Sequence, residues 1–148
     1  MELKKYQQKT LDLLDDFLKE ITFYWYAKHA FISMTDKSYN EKDFGNKIPF
    51  ICIKIPTGGG KTLVGCYSTT KIIDFLEEKM GRGIIMWFVP SESIKSQTLR
   101  KFKDRKDIHR KILDEYFNND VKIFSNEEAL KIRKEDVENN LCIIISSL

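Results

Sequence analysis

Proline, glycine and cysteine are all scarce in this chain, at 3, 7 and 3 residues among 148. So little proline and glycine excludes collagen-like and low-complexity architectures, and a content of 42% hydrophobic and 12% aromatic residues excludes a wholly disordered chain. Charge of one sign is not in excess either: 25 Lys and Arg against 22 Asp and Glu leave +3, too small a surplus to announce a nucleic-acid partner by itself. No apolar run approaches the roughly 20 residues of a membrane span. The N-terminus, Met1-Glu2-Leu3-Lys4-Lys5, opens an amphipathic pattern with no signal-peptide core. The sequence therefore predicts a cytoplasmic protein with no membrane partner. Cys52, Cys66 and Cys142 have no metal-ligand spacing and each stands in an apolar stretch, so they read as small buried hydrophobes in a reducing compartment. His29 and His109 are likewise isolated from any second ligand.

What is present is the length and patterning of one α/β domain. Leu3, Leu11, Leu14, Leu18, Ile21 and Trp25 recur at steps that fit a long helix, with Gln7 on the same stripe; the cluster Phe23-Tyr24-Trp25-Tyr26 continues that stripe and is expected in the core rather than as a base-stacking surface. Residues 33–48 are polar and aperiodic and read as a loop. Residues 50–55 form a nearly unbroken apolar run, the pattern of a strand covered on both faces, followed by glycines and then by helical spacing from Leu63 to Met80 with Gly81 as a stop. The alternation repeats: a strand over residues 84–89, helices over 91–103 and 107–117, a turn at Asn118-Asn119-Asp120, a strand over 121–124, a capping box Ser125-x-x-Glu128, and a buried strand over 141–145. Strands joined by helical crossovers predict a parallel sheet. The densest basic stretch, residues 101–106 with Arg110 and Lys111, reads as a solvated helix face.

The strongest chemical signal is Thr57-Gly58-Gly59-Gly60-Lys61-Thr62 between the apolar run and the helix. Glycines let backbone N–H groups turn inward around phosphate oxygens, and the helix start adds unsatisfied donors and its positive dipole end. In this arrangement Lys61 reaches the β- and γ-phosphates and the Thr62 hydroxyl ligates Mg²⁺. Lys61 and Thr62 are the candidate catalytic residues, and a nucleoside triphosphate with Mg²⁺ is the expected pair, which the resemblance below implies to be ATP with Mg²⁺.

Ile55-Pro56-Thr57-Gly58-Gly59-Gly60-Lys61-Thr62 resembles the Walker A motif of superfamily 2 helicases and translocases, especially the restriction subunit of type III restriction enzymes, although Ile55 stands where a small residue is usual. Leu3-Lys4-Lys5-Tyr6-Gln7 resembles the adenine-recognition segment of such motors, which implies that Tyr6 and Gln7 hold the base; Gln offers the donor and acceptor that adenine N7 and N6 require, and the plain alternative is a solvent-facing helix residue. The stretch from Ile84 to Ser91, with Gln97 further on, and the segment ending in Ser146-Ser147 resemble the family's backbone-contacting loops. They imply that Pro90, Ser91, Ser146 and Ser147 touch nucleic-acid phosphates, DNA being the expected track, without reading sequence. Ser91 serves equally well as a helix N-cap, and both roles are compatible.

The resemblance implies an α/β, RecA-like P-loop NTPase fold: a three-layer sandwich with a mainly parallel sheet, incomplete and preceded by a long N-terminal helix. Residues 1–32 would form the adenine-recognition helix, 33–48 a loop and 49–148 the P-loop core. An apolar strand ending in Asp-Glu, needed to complete the Mg²⁺ shell and position water, is missing; Leu13-Leu14-Asp15-Asp16 mimics it but lies in the first helix. The chain is accordingly expected to be the N-terminal part of a longer ATP-dependent helicase or translocase, inactive alone, whose partners are downstream helicase domains or other restriction-modification subunits. The competing expectation is a non-catalytic nucleotide-binding or regulatory module that keeps only the phosphate loop. A P-loop kinase or GTPase is disfavoured, since neither a guanine-reading Asn-Lys-x-Asp run nor a lid-like Arg cluster is present.

Overall fold

Leu11, Leu14, Leu18 and Ile21, with Phe17, fall on one side of α1 (Lys5–Tyr24) and are all buried, so the helix forms where the three- and four-residue steps place it. The structure, a computed structural model, describes residues 2–24, 26–39, 48–80 and 83–148, and of residues 77–80 only the backbone. Trp25, half of the expected loop (residues 40–47) and Gly81 lie outside the described residues, and residues 33–35 of that loop are helical instead. The chain divides into two compact units, Met1–Val64 and Gly65–Leu148.

In the first unit, α1 packs on α2 (Ala27–Thr35), with Phe17 and Phe31 meeting edge to face at 6.4 Å. The single long helix expected through Trp25 is thus shorter, and a second helix follows Tyr26, whose backbone is extended (φ −139°, ψ 121°). The aromatic and β-branched residues from Ile21 to Tyr26 are poor helix formers, which favours the break. The core placement of the aromatic cluster is also overturned: Phe23 is 76% exposed, and Tyr24 and Tyr26 are exposed as well. Phe23 lies two residues past the buried Ile21 and so points to the opposite side of the helix.

Residues 50–55 are not a strand. They run as irregular chain with Phe50, Cys52 and Ile53 exposed, which also overturns the buried reading of Cys52. An apolar run specifies a strand only when a ladder partner satisfies its backbone, and no strand pairs with this one among the described residues. The division between units falls within α3 (Lys61–Met80), the helix that follows the glycine loop.

The second unit is built on a parallel sheet of order β1-β3-β2, comprising β1 (Ile84–Val89), β2 (Val121–Ser125) and β3 (Leu141–Ser147). Central β3 is buried on both faces, every side chain from Leu141 to Ile145 being inaccessible or nearly so. On β1 one face is covered among the described residues: Trp87 lies against Gly65 and meets Phe102 at 5.0 Å, whereas Ile84, Met86 and Phe88 are exposed, so burial on both faces holds for β3 and not for β1. Crossovers α4 (Glu92–Lys103) and α5 (Ile108–Tyr116) begin at side-chain caps from Ser91 and Asp107; Asn118 and Asn119 turn the chain with positive φ. Ser125 and Glu128 close the expected capping box at the start of α6 (Asn126–Ala129), and α7 (Lys134–Asn139), which the pattern did not predict, leads into β3. Cys66 and Cys142 are buried, and burial pushes the Cys66 thiol up to about 12.

Arg110 departs from the solvated face assigned to it. It is buried, with Nε donating to Asp114 at 2.8 Å and its two terminal nitrogens donating to the carbonyls of Phe102 (3.2 Å) and Val121 (2.9 Å), which ties α5 to α4 and β2. Replacing it strands a buried carboxylate and two carbonyls. Arg110→Ala should therefore lower unfolding free energy by about 3–5 kcal/mol in urea titrations, and a change under about 1 kcal/mol would contradict this account of the network.

Candidate functional site

Gly59 N–H donates to the Pro56 carbonyl at 3.0 Å, closing a tight turn in which Gly58 takes the third position with φ +76°. That conformation suits glycine, as does Gly60 at φ +78°, where a Cβ would also lie 2.6 Å from Gln7 Nε2. Gly60 then accepts from Val64 N–H at 3.0 Å and α3 begins, with no acidic residue in its first turn to offset the positive end of the helix. Lys61 is exposed and its Nζ donates to the Pro56 carbonyl at 3.0 Å. Thr57 is exposed on the turn, and Thr62 is half-buried.

Two side chains of α1 converge on this loop from more than fifty residues away. Tyr6 Oη and Gln7 Nε2 both donate to the Gly59 carbonyl, at 2.9 and 3.0 Å. Gln7 is only 5% exposed, and its Oε1 accepts from Lys4 N–H at 2.9 Å. The structure thus brings together Tyr6, Gln7, Gly59, Gly60 and Lys61, and it explains why a polar residue sits on an apolar stripe: each end of its amide has a backbone partner. The donor set fits a nucleotide triphosphate. An exposed cation at Lys61, an unopposed helix start and glycine backbone are what an anion requires, and the Gln7 amide retains one N–H and one lone pair.

The predicted backbone-contacting residues also gather, at the carboxyl edge of the sheet. Parallel register pairs Phe88 with Ser146 and Val89 with Ser147, and Leu148 N–H donates to the Val89 carbonyl at 3.0 Å, so Pro90 and Ser91 leave β1 next to the end of β3. Their hydroxyls are already engaged. Ser91 Oγ caps α4 by accepting from Ile94 N–H at 3.4 Å, Ser147 donates to Glu92 at 2.9 Å, and Ser146 donates to the Ser147 carbonyl at 3.1 Å. Behind them Lys95 is buried between Glu92 (2.9 Å) and Glu127 (3.2 Å). Sequence reasoning missed this cluster. The Glu92 and Lys95 spacing on a helix was visible, but Glu127 is brought in only by the fold.

Hydrogen bonds from Ser125 and Lys95 hold the Glu127 carboxyl down at about 2, and a bond from Lys95 lowers that of Glu92. Such carboxylates stabilise the fold fully above the ordinary value of 4.5, and the contribution is lost as pH falls from there toward about 2. Lys95→Met should flatten the pH dependence of unfolding free energy across that acidic window, as read from urea titrations at stepped pH; an unchanged slope would contradict the coupling. Gly60→Ala forces strain and a clash with Gln7, so it should cost about 1–3 kcal/mol in the same measurement, whereas Gly83→Ala, with open space around it, should cost under about 1 kcal/mol.

No helix among the described residues is long and apolar enough to cross a membrane. No curated protein and no solved structure matches the chain at a significant level. A family model does match, described as "Type III restriction enzyme, res subunit", over residues 1–147. With the glycine loop at the head of a helix and a small parallel sheet both present within that span, the chain belongs to the type III restriction enzyme res subunit family, a family of P-loop domains with an ATP-dependent, helicase-like nucleotide-binding role.

Proposed function

We propose that this chain is the ATP-binding part of an ATP-dependent DNA helicase or translocase of a restriction-modification system, formed by the first of two RecA-like domains. The observation that carries the reading is the convergence of Tyr6 and Gln7 on the Gly59 carbonyl, within a loop whose Gly58 and Gly60 have positive φ and which ends in Lys61-Thr62. Base-reading and phosphate-reading residues are thereby one connected unit. Lys61 exchanges the Pro56 carbonyl for phosphate oxygens, a charge-assisted bond in place of a neutral acceptor. The N–H groups at the start of α3 face the same anion, and the Thr62 hydroxyl holds Mg²⁺. Gln7 keeps its bond to Gly59 and uses its remaining N–H and lone pair for adenine N7 and N6, with Tyr6 beside it. ATP, when bound, supplies the phosphoanhydride whose cleavage drives the motor. Pro90, Ser91, Ser146 and Ser147, at the carboxyl edge, contact DNA phosphates, the customary side for ligands on parallel sheets. Further helicase domains or other restriction-modification subunits complete the working enzyme.

Guanine presents an acceptor where adenine offers its amino donor, which leaves an unsatisfied group against Gln7 at a cost of about 1–3 kcal/mol, or roughly 5- to 150-fold in affinity. In calorimetric competition ATP should outcompete GTP by that factor. Gln7→Ala should erase most of the preference while triphosphate binding persists, and Lys61→Ala should weaken binding of both nucleotides. Equal competition by ATP and GTP would remove Gln7 from the site, and unchanged affinity in Lys61→Ala would move the phosphate site elsewhere.

A further inference from the structure

Ser147 Oγ, near the end of β3, donates to Glu92 Oε2 at 2.9 Å, and Lys95 Nζ of α4 meets the other oxygen of the same carboxylate, Oε1, at 2.9 Å. Two donors from separate elements thus converge on one anionic group. The members of the ion pair differ in access: the Lys95 side chain is 6% exposed and that of Glu92 67%. Glu92 can turn outward into water from the first turn of α4, where a carboxylate still faces the positive end of the helix, whereas the buried ammonium cannot follow it. Glu127, at 3.2 Å from Lys95, stays behind as its second partner. The bonds from Lys95 and Ser147 hold the Glu92 carboxyl below its ordinary value, so at neutral pH it is an ionised group that only accepts.

We propose that the Glu92 carboxylate is an internal stand-in for a phosphodiester: it fills an anion site formed by Ser147 Oγ and Lys95 Nζ, and nucleic acid engages that site only by displacing it. The proposal rests on the reading of the carboxyl edge as the DNA-backbone contact, and it adds to that reading a buried cation, Lys95, and an autoinhibitory contact, Ser147 to Glu92. A phosphate oxygen accepts from the same hydroxyl and ammonium that now serve the carboxylate, since both anions only accept and both form charge-assisted bonds. While Glu92 is in place, Ser147 has directed its one proton to the carboxylate and has none to donate to a phosphate. The exposed carboxylate also opposes an approaching phosphate through charge. Glu127 is as exposed as Glu92 and touches the same ammonium, but its hydroxyl partner is Ser125 of β2 rather than Ser147, so removing its charge does not open the site.

The test is the affinity of the full chain for a short, labelled, mixed-sequence single-stranded DNA, read by fluorescence anisotropy over a series of salt concentrations and by NMR at the amides of residues 91–95 and 145–148. Glu92→Ala should raise affinity about 3- to 10-fold, and the gain should persist as salt rises, because a short-range occupant has been removed. Glu127→Gln, which removes a charge beside the same lysine, should raise affinity less, and that gain should fade with salt, since remote repulsion is screened over about 8 Å at physiological ionic strength. In the Ser147→Ala background the gain from Glu92→Ala should shrink, because one of the two donors it releases is gone. Strictly additive effects of these two substitutions, or equal and salt-sensitive gains in Glu92→Ala and Glu127→Gln, overturn the displacement while the edge reading stands. A Glu92→Ala chain that is less stable in urea but binds DNA unchanged does the same, because its carboxylate then serves only the helix start. Millimolar DNA that perturbs none of those amides, in the unmutated chain or in Glu92→Ala, overturns both readings. Inorganic phosphate that reproduces the amide shifts and the Glu92→Ala gain at equal phosphate concentration identifies a free-phosphate site and overturns the nucleic-acid occupant.

Discussion

Burial of β3 on both faces is the constraint on which the second unit depends. A strand with Leu141 through Ile145 all removed from water can exist only between two other strands and beneath helices, since each buried N–H and carbonyl must find a ladder partner. Parallel pairing to β1 and β2 provides those partners, and parallel pairing in turn demands helical crossovers. One consequence is that β1, β2 and β3 all end on the same edge. Ser91, Ser125, Ser146 and Ser147 therefore collect there, although more than fifty residues separate the first from the last.

The first unit is organised around a single acceptor. The Gly59 carbonyl receives both Tyr6 and Gln7, and the Pro56 carbonyl receives Gly59 N–H and Lys61, so the loop is held from the side of α1 and from within. Burying the Gln7 amide without partners would cost about 1–3 kcal/mol, and its bonds to Lys4 and Gly59 remove that cost. Gly60 completes the arrangement, because any side chain there would occupy the space of the Gln7 amide. The helix that supplies Gln7 is positioned by the apolar contacts of Leu11, Leu14 and Phe17, so hydrophobic packing several residues away decides where a polar contact to the loop is made.

Electrostatics at the carboxyl edge combine a fixed interior with a free outer surface. Lys95 is buried and shared by Glu92 and Glu127, and Ser147 is tied to the same Glu92, so these charges act mainly to hold the ends of β3, α4 and α6 in place. Among the described residues, Ser93, Ser96, Gln97 and Arg100 on the outer side of α4 have no side-chain partner.

Local signals in the sequence determined the strands over 84–89 and 121–124, the buried strand beginning at Leu141, the caps at Ser91 and Ser125, and the glycine loop ahead of a helix, because each rests on periodicity or on a few adjacent residues. Gln7 was also legible, as a polar residue on an apolar stripe. The tertiary structure decided what depends on distant partners. The apolar run over residues 50–55 has strand composition but no ladder partner among the described residues, and Phe23, Tyr24 and Tyr26 have core composition but face away from the buried stripe. Arg110 and Lys95 look like surface cations until Asp114, Val121 and Glu127 are brought against them, and no local pattern encodes a contact 32 residues away. Composition states what a segment can bury, and only the meeting of segments decides what it does bury.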